Sequence, residues 1–176
     1  MTGPKVGPRV VLVGSMGAGK TTVGGLVAEA LGLDFLDTDQ VIERVAGKPV
    51  SEIFVDDGEG HFRELERTAV AEALASHPGV LALGGGAVLD ESTRALLAEH
   101  PVVFLQVGLS DAASRVGLGV SRPLLLGNVR GRIKQLLDER TPIYTSVATH
   151  TVQTDGLSAA EVADQVVSLV QDGSHG

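Results

Sequence analysis

Apolar positions in this chain come in short unbroken runs separated by longer stretches in which they recur every three or four residues. Val10 to Val13 is such a run, and its β-branched and Leu content is expected of a strand buried on both faces of a parallel sheet. The pattern then predicts a helix over Lys20 to Leu31 closing at Gly32, a short strand around Phe35, and helical stretches at Gln40 to Ala46, Ser51 to Val55 and Gly60 to Ala75. Gly47 stands where a C-terminal glycine belongs, and Ser51 offers an N-cap. Further on, "VLAL" at Val80 to Leu83 reads as a strand running into Gly84-Gly85-Gly86, and Ser92 to Glu99 as a helix. The run "VVFLQV" at 102 to 107 is another buried strand. A helix near Asp111 to Val116 leads into a Gly- and Pro-marked loop from Gly117 to Gly127. A helix over Val129 to Arg140, a strand at Thr149 to Thr154 and a helix over Ser158 to Val170 complete the pattern. Strands alternating with helices imply an α/β fold of three layers, α/β/α, around a central parallel sheet of about five strands.

Composition narrows this picture. A length of 176 residues suits one domain spanning 1–176, and no repeat or linker divides it. Aromatic residues make up only 3% of the chain, so the core must be built from Val, Leu, Ala and Ile. The absence of Cys removes disulfides and thiolate metal sites. No apolar stretch approaches membrane-spanning length and no cleavage site follows the first apolar run, so a cytoplasmic protein with no membrane partner is expected. No heptad pattern or long apolar patch argues for more than a monomer. A net charge of −8 argues against nucleic acid as a partner. Against that acidic background, Arg115, Arg122, Arg130, Arg132, Lys134 and Arg140 form one basic segment; for Arg130, Arg132 and Lys134 a solvated helix face is the better reading.

The chemistry starts at "GSMGAGKT", Gly14 to Thr21, which fits G-x-x-x-x-G-K-[ST] and lies between a strand and a helix, as a phosphate-binding loop must. Gly14, Gly17 and Gly19 let the backbone approach a polyphosphate, and the helix N-terminus presents N–H groups to it. Lys20 adds a full positive charge, and the Thr21 hydroxyl can ligate Mg²⁺. A bound nucleoside triphosphate follows. In "LDTD", Asp37 and Asp39 crowd one strand end, a position compatible with a nearby cation; Asp39 could equally cap the helix starting at Gln40. Arg63 and Glu66 of "HFRELE" share a helix face, on spacing alone an ordinary ion pair, and Phe54 and Phe62 either wall a small pocket or pack as core. The triple glycine ends a strand where a ligand crevice is expected. "GLGVSRPLLLGN" puts one Arg, Arg122, in a Gly-marked loop from which it could close on transferred phosphate, and Arg140 of "DERTPIY" could face a substrate anion.

Taken together and in this order, "GSMGAGKT", "DTD", "FRELE", "GGGAV", "RPLL" and "ERTPIY" resemble the shikimate kinases, small P-loop kinases related in fold to nucleoside monophosphate kinases. The likeness covers nearly the whole chain. It implies transfer of the ATP γ-phosphate to the 3-hydroxyl of shikimate, on the route to chorismate and the aromatic amino acids, with Mg²⁺ as cofactor and ATP and shikimate as the small-molecule partners. It further implies that Gly17, Ala18, Gly19, Lys20, Thr21 and Thr22 bind ATP, that Thr21 holds Mg²⁺ and that Asp37 supports it through water. Asp39 would bond the acceptor hydroxyl, and Arg63 and Arg140 would clamp the carboxylate of shikimate. Backbone of Gly84, Gly85 and Gly86 would touch the ring hydroxyls. Arg122 would be the catalytic lid arginine, and Arg115 would pack on adenine. A substrate-binding helical region at about 40–75 and a mobile lid at about 117–127 belong to the same picture. The chain departs from the family at Thr154 to Ala159, which has no basic residue, and at Ala82, where some relatives carry a hydroxyl. A gluconate-type kinase on the same fold and a nucleotide-binding regulatory protein without catalysis are the rival readings; the second would damage Lys20, Asp39 or Arg122, all of which are present.

Overall fold

A computed structural model describes residues 7–15, 18–108, 111 and 126–173. Five parallel strands form one sheet: β1 (Val10–Val13), β2 (Phe35–Asp37), β3 (Val80–Ala82), β4 (Val102–Gln106) and β5 (His150–Gln153), in the order β2-β3-β1-β4-β5. Six helices are described: α1 (Lys20–Leu31), α2 (Thr38–Ala46), α3 (Val50–Ser76), α4 (Glu91–Leu97), α5 (Leu126–Val147) and α6 (Ala159–Gly173). Alternation along β1 divides the core. Val10 and Leu12 face the layer that includes Val23, Val27, Val162 and Val166, while Val11 and Val13 face Val70, Leu74, Leu97 and Tyr144. All four β1 side chains are buried, each worth about 1.5–3 kcal/mol relative to exposure. The strand order makes β1 central, with β3 and β4 leaving it on opposite sides. This is the switch point at which open parallel sheets hold ligands at their carboxyl ends.

Among the element boundaries that differ from the sequence reading, three bear on the site and have a local cause; α5 also begins at Leu126, inside the loop expected to run to Gly127. Helix α2 starts at Thr38 and not at Gln40, because the Asp37 side chain accepts the Asp39 N–H at 2.9 Å and so acts as the N-cap. Asp39 therefore lies in the first helical turn and caps nothing. Helix α3 starts at Val50, whose N–H is bonded by the Glu43 carboxylate of α2 at 2.8 Å, so Ser51 is not the cap. Helix α5 continues past Arg140 to Val147, with Pro142 inside it. The restriction that proline places on the residue before it usually marks a helix boundary, but here the helix carries through and places Tyr144 one turn beyond Arg140. The helix expected at Asp111 to Val116 beyond its first residue, and the lid loop up to residue 125, lie outside the described residues.

A small third cluster, Ile42, Ile53, Phe62 and Ala69, joins α2 to α3. Phe62 is part of it, and Phe54 lies against Phe62 with centroids 4.7 Å apart, so this aromatic pair is core packing with one half-exposed member. Within α3 the two helical stretches foreseen on either side of Gly58 are joined by a kink at that residue, whose φ of 87° and ψ of 164° belong to glycine almost alone. Just before the kink, Asp56 and Asp57 both pair with Lys48 of the preceding loop, at 3.1 and 2.8 Å. The kink sets the direction of the segment carrying Arg63 and Glu66. Gly58→Ala is expected to cost about 1–3 kcal/mol through backbone conformation alone, since a Cβ there meets open space. An unchanged denaturant midpoint would show that the kink is not held by the fold.

Candidate active site

At the carboxyl end of β1 the chain turns through Gly14 and enters α1. A Cβ on Gly14 would lie 2.6 Å from the Leu105 carbonyl oxygen of β4, so this position has no room for a side chain. Gly19 precedes the helix with φ 85°, in the left-handed region. Ala18, Gly19, Lys20, Thr21 and Thr22 are thus the described part of the loop and first turn, and Gly17 lies outside the described residues. The Lys20 ammonium donates to the carbonyl oxygens of Gly14, at 2.6 Å, and Ser15, at 3.0 Å. Removal from water lowers its pKa to about 8, against the pull of Asp39 and Asp37, which favour the charged form.

Asp37 binds two elements at once. Its Oδ2 accepts the Thr21 hydroxyl of α1 at 2.8 Å, and its Oδ1 accepts the Asp39 N–H of α2. Thr21 and Asp37 are hard oxygen donors held side by side, the chemistry that suits a magnesium ion also bound by phosphate and water. Among the described residues no group of three or more His, Cys, Asp or Glu side chains could hold a metal by itself.

Asp39, like Ser15 of the phosphate loop, carries an unsatisfied side-chain oxygen. Its Oδ1 is buried without a hydrogen-bond partner. Burial raises its pKa first, and the neighbouring Asp37 and Glu43 add to that, while Lys20 and Arg63 oppose it. Asp37 and Asp39, which the sequence crowds at one strand end, part here. The helix turn separates them, the first bonding backbone and Thr21, the second left free. Thr38 between them is buried and accepts the Gly84 N–H at 3.3 Å, which joins the ends of β2 and β3.

The triple glycine has a steric role that spacing did not reveal. A Cβ on Gly84 would stand 2.6 Å from Asp39 Oδ1 and 3.1 Å from Glu66 Oε2; one on Gly86 would stand within 2.8 Å of three guanidinium atoms of Arg63. Side chains of this protein fill the space that these glycines leave. The Arg63–Glu66 pair is not an ordinary surface pair: Glu66 is buried, with its carboxylate 2.7 Å from Arg63 Nη1. Burial raises the Glu66 pKa, opposed by its bond to Arg63 and by the charges of Arg63 and Arg140. Arg140 thereby joins the same cluster, and its charge also acts on the phenol of Tyr144, whose pKa burial raises and Arg140 opposes. Tyr144 in turn donates to the Gly85 carbonyl at 2.5 Å. Sequence reasoning missed Thr38 and Tyr144; their place beside quoted motifs, inside "LDTD" and "DERTPIY", was the one available pointer. Arg115 and Arg122 lie outside the described residues. Near Thr154 to Ala159, the Asp155 carboxylate accepts the Gly108 N–H at 2.8 and 3.0 Å, so that loop is tied to the end of β4 by an acid.

Lys20, Thr21, Asp37, Asp39, Arg63, Gly84 to Gly86 and Arg140 thus meet at one edge of the sheet. The family model described as Shikimate kinase matches residues 16–171. A shikimate kinase of Thermobifida fusca is 64% identical over 159 residues, covering 90% of this chain and 92% of that one. The chain belongs to the shikimate kinase family. Among solved structures, the shikimate kinase from Acinetobacter baumannii in complex with shikimate matches with a TM-score of 0.87 and 36% identity, covering 96% of this chain and 94% of that one. A gluconokinase from Sinorhizobium meliloti matches over similar coverage, 96% and 94%, with a TM-score of only 0.58 and 25% identity. The gluconate-type rival is therefore the weaker likeness. As a member of this family the protein is an ATP-dependent kinase, and its five-stranded all-parallel sheet is the fold expected of one.

The buried ammonium makes a prediction that needs no acceptor. The folded pKa of Lys20 lies below the unfolded value of 10.5, so its charge costs stability in full below about pH 8, and the cost vanishes above the unfolded value. Polyphosphate restores the charged form. Binding of ADP at pH near 8 should therefore take up protons, read by calorimetry in buffers of differing ionisation enthalpy. Lys20→Met should abolish the uptake, and net release by the native protein would contradict the placement.

Proposed function

We propose that this protein transfers the γ-phosphate of ATP to the 3-hydroxyl of shikimate, giving shikimate 3-phosphate and ADP. The observation that carries the reading is the unpartnered, buried Asp39 oxygen, beside the phosphate-loop Lys20 on one side and Glu66-held Arg63 on the other. In the transfer, the acceptor oxygen bonds to the γ-phosphorus as the bond to the β-phosphate bridging oxygen breaks, and the hydroxyl proton passes to Asp39. A loose transition state asks for alignment and charge balance more than for a strong base. Asp39, with its raised pKa, suits late acceptance of that proton. Lys20 balances charge on the phosphoryl oxygens, and Arg122 joins it from the lid. Ala18, Gly19, Thr21 and Thr22, with Gly17, line the phosphates, and Arg115 packs on adenine. Mg²⁺, when bound with ATP, withdraws charge from the phosphates; Thr21 and Asp37, the latter through water, are the residues that would hold it. Arg63 and Arg140 clamp the acceptor carboxylate, which the planar fork of a guanidinium fits in two places. The α2–α3 segment, about 40–75, is the acceptor-binding region, and 117–127 the lid. A cytoplasmic monomer is the state that this reading assumes; no helix among the described residues is long and apolar enough to cross a membrane.

With ATP and Mg²⁺, ADP should form when shikimate is supplied and not with gluconate, quinate or nucleoside monophosphates; turnover on gluconate alone would overturn the reading. A second outcome follows from the Asp39 environment. Because its folded pKa is raised, the ionised carboxylate costs stability above both values, and the cost disappears below the unfolded value of 3.8. Asp39→Asn should melt higher than the parent at neutral pH, lose that advantage in acid, and turn over roughly 100-fold or more slowly. Near-normal turnover would remove Asp39 from the chemistry.

A further inference from the structure

Tyr144 is the only tyrosine in a chain without tryptophan, and it is fully buried although its hydroxyl is polar. Its ring lies against Phe104 of β4, with centroids 5.0 Å apart, which fixes the phenol on the sheet side of α5. The hydroxyl donates to the Gly85 carbonyl, 59 residues away in the chain, and lies in the field of Arg140, one turn earlier on its own helix. That bond ties α5, one turn past Arg140, to the turn after β3, while the neighbouring Gly86 is filled by the Arg63 guanidinium. Those are the two sides from which the proposed carboxylate clamp is built.

We propose that Tyr144 is a positioning residue for the acceptor: its hydroxyl holds Arg140 in register with the Gly84–Gly86 turn, so that the Arg140 and Arg63 guanidinium groups reach one planar anion together. The inference rests on the reading above, in which these arginines bind the carboxylate of shikimate. Without the hydroxyl, Arg140 keeps its charge, but the Gly85 carbonyl loses its donor and α5 loses the tie that holds it to the glycine turn beside Arg140. A planar anion held by two forks is sensitive to a small misplacement of either. Nucleotide contacts, on α1 and the phosphate loop, do not involve this tie.

The test is Tyr144→Phe, which retains the ring against Phe104. The expected result is a rise of about tenfold in KM for shikimate, the size of one lost hydrogen bond, with KM for ATP unchanged. A parallel rise in both constants, or a lowered melting temperature with normal kinetics, would overturn the proposal. In Arg140→Ala the same Tyr144→Phe change should have little further effect on KM for shikimate, and full additivity would again count against it. If the phenylalanine variant does not fold, the native protein still reports, because its tyrosine emission comes from Tyr144 alone. Saturating shikimate should alter that emission and ADP alone should not; an emission indifferent to shikimate would overturn the tie. If the native protein does not phosphorylate shikimate at all, the proposed function itself fails and takes this inference with it, an outcome distinct from the others.

Discussion

The site depends on how one carboxylate, Asp37, uses its two oxygens. One accepts the Thr21 hydroxyl from the first turn of α1, and the other caps α2 through the Asp39 N–H. The first helix follows the phosphate loop and the second leads into α3, so this group fixes the starts of the two helices against one another. N-capping by aspartate is worth about 1 kcal/mol in helices generally, and the bond to Thr21 adds alignment more than stability. The consequence for Asp39 is direct. Its backbone is held by the cap, its Oδ1 is buried, and the charge that makes the cap also opposes its ionisation. A like-charged pair that would be poor structure becomes a fixed, reluctant carboxylate beside Lys20.

The rest of the acceptor side follows from space and from buried charge. Gly84 and Gly86 leave room that Asp39, Glu66 and Arg63 occupy, so backbone next to the sheet edge and three charged side chains pack as one unit. Burying Glu66 is unfavourable alone and tolerable only because Arg63 bonds it. Such an arrangement holds a guanidinium in one orientation, which a pair of solvated side chains would not do. Glu66 and Asp39 share the property that folding makes their ionisation harder, and this is the cost at which the charged cluster is kept. Tyr144 closes the unit from α5 with a neutral hydroxyl that donates to the Gly85 carbonyl and adds no charge.

Much of this could be read from residue order. The alternating runs located all five strands to within a residue or two, since buried parallel strands are short and continuous in apolar character. Gly32 and Gly47 ended their helices as their left-handed φ values require. What pattern could not resolve was competition among local options. Asp37 and Asp39 were both eligible caps, and only the hydrogen bond decides between them. Ser51 had the right side chain for a cap, but α3 begins one residue before it, at Val50, whose N–H bonds the Glu43 carboxylate of the preceding helix. Pro142 spoke for a boundary that tertiary packing of α5 overrode, and with it went the chance of seeing Tyr144 as part of the site. The glycine turn was assigned to approach by a ligand; whether a neighbouring side chain fills such space depends on contacts between segments some 20 to 45 residues apart, which spacing along the chain does not encode.

The central claim is that Asp37 and the burial around Asp39 together hold a carboxylate poised against ionisation. It is tested most directly by following the Asp39 carboxyl carbon through a pH titration by NMR, in the ligand-free native protein and in Asp37→Asn. The account predicts a native pKa above the ordinary aspartate range, and a lower value once the neighbouring charge is removed. An ordinary value in the native protein, or one that does not fall in the variant, would contradict it.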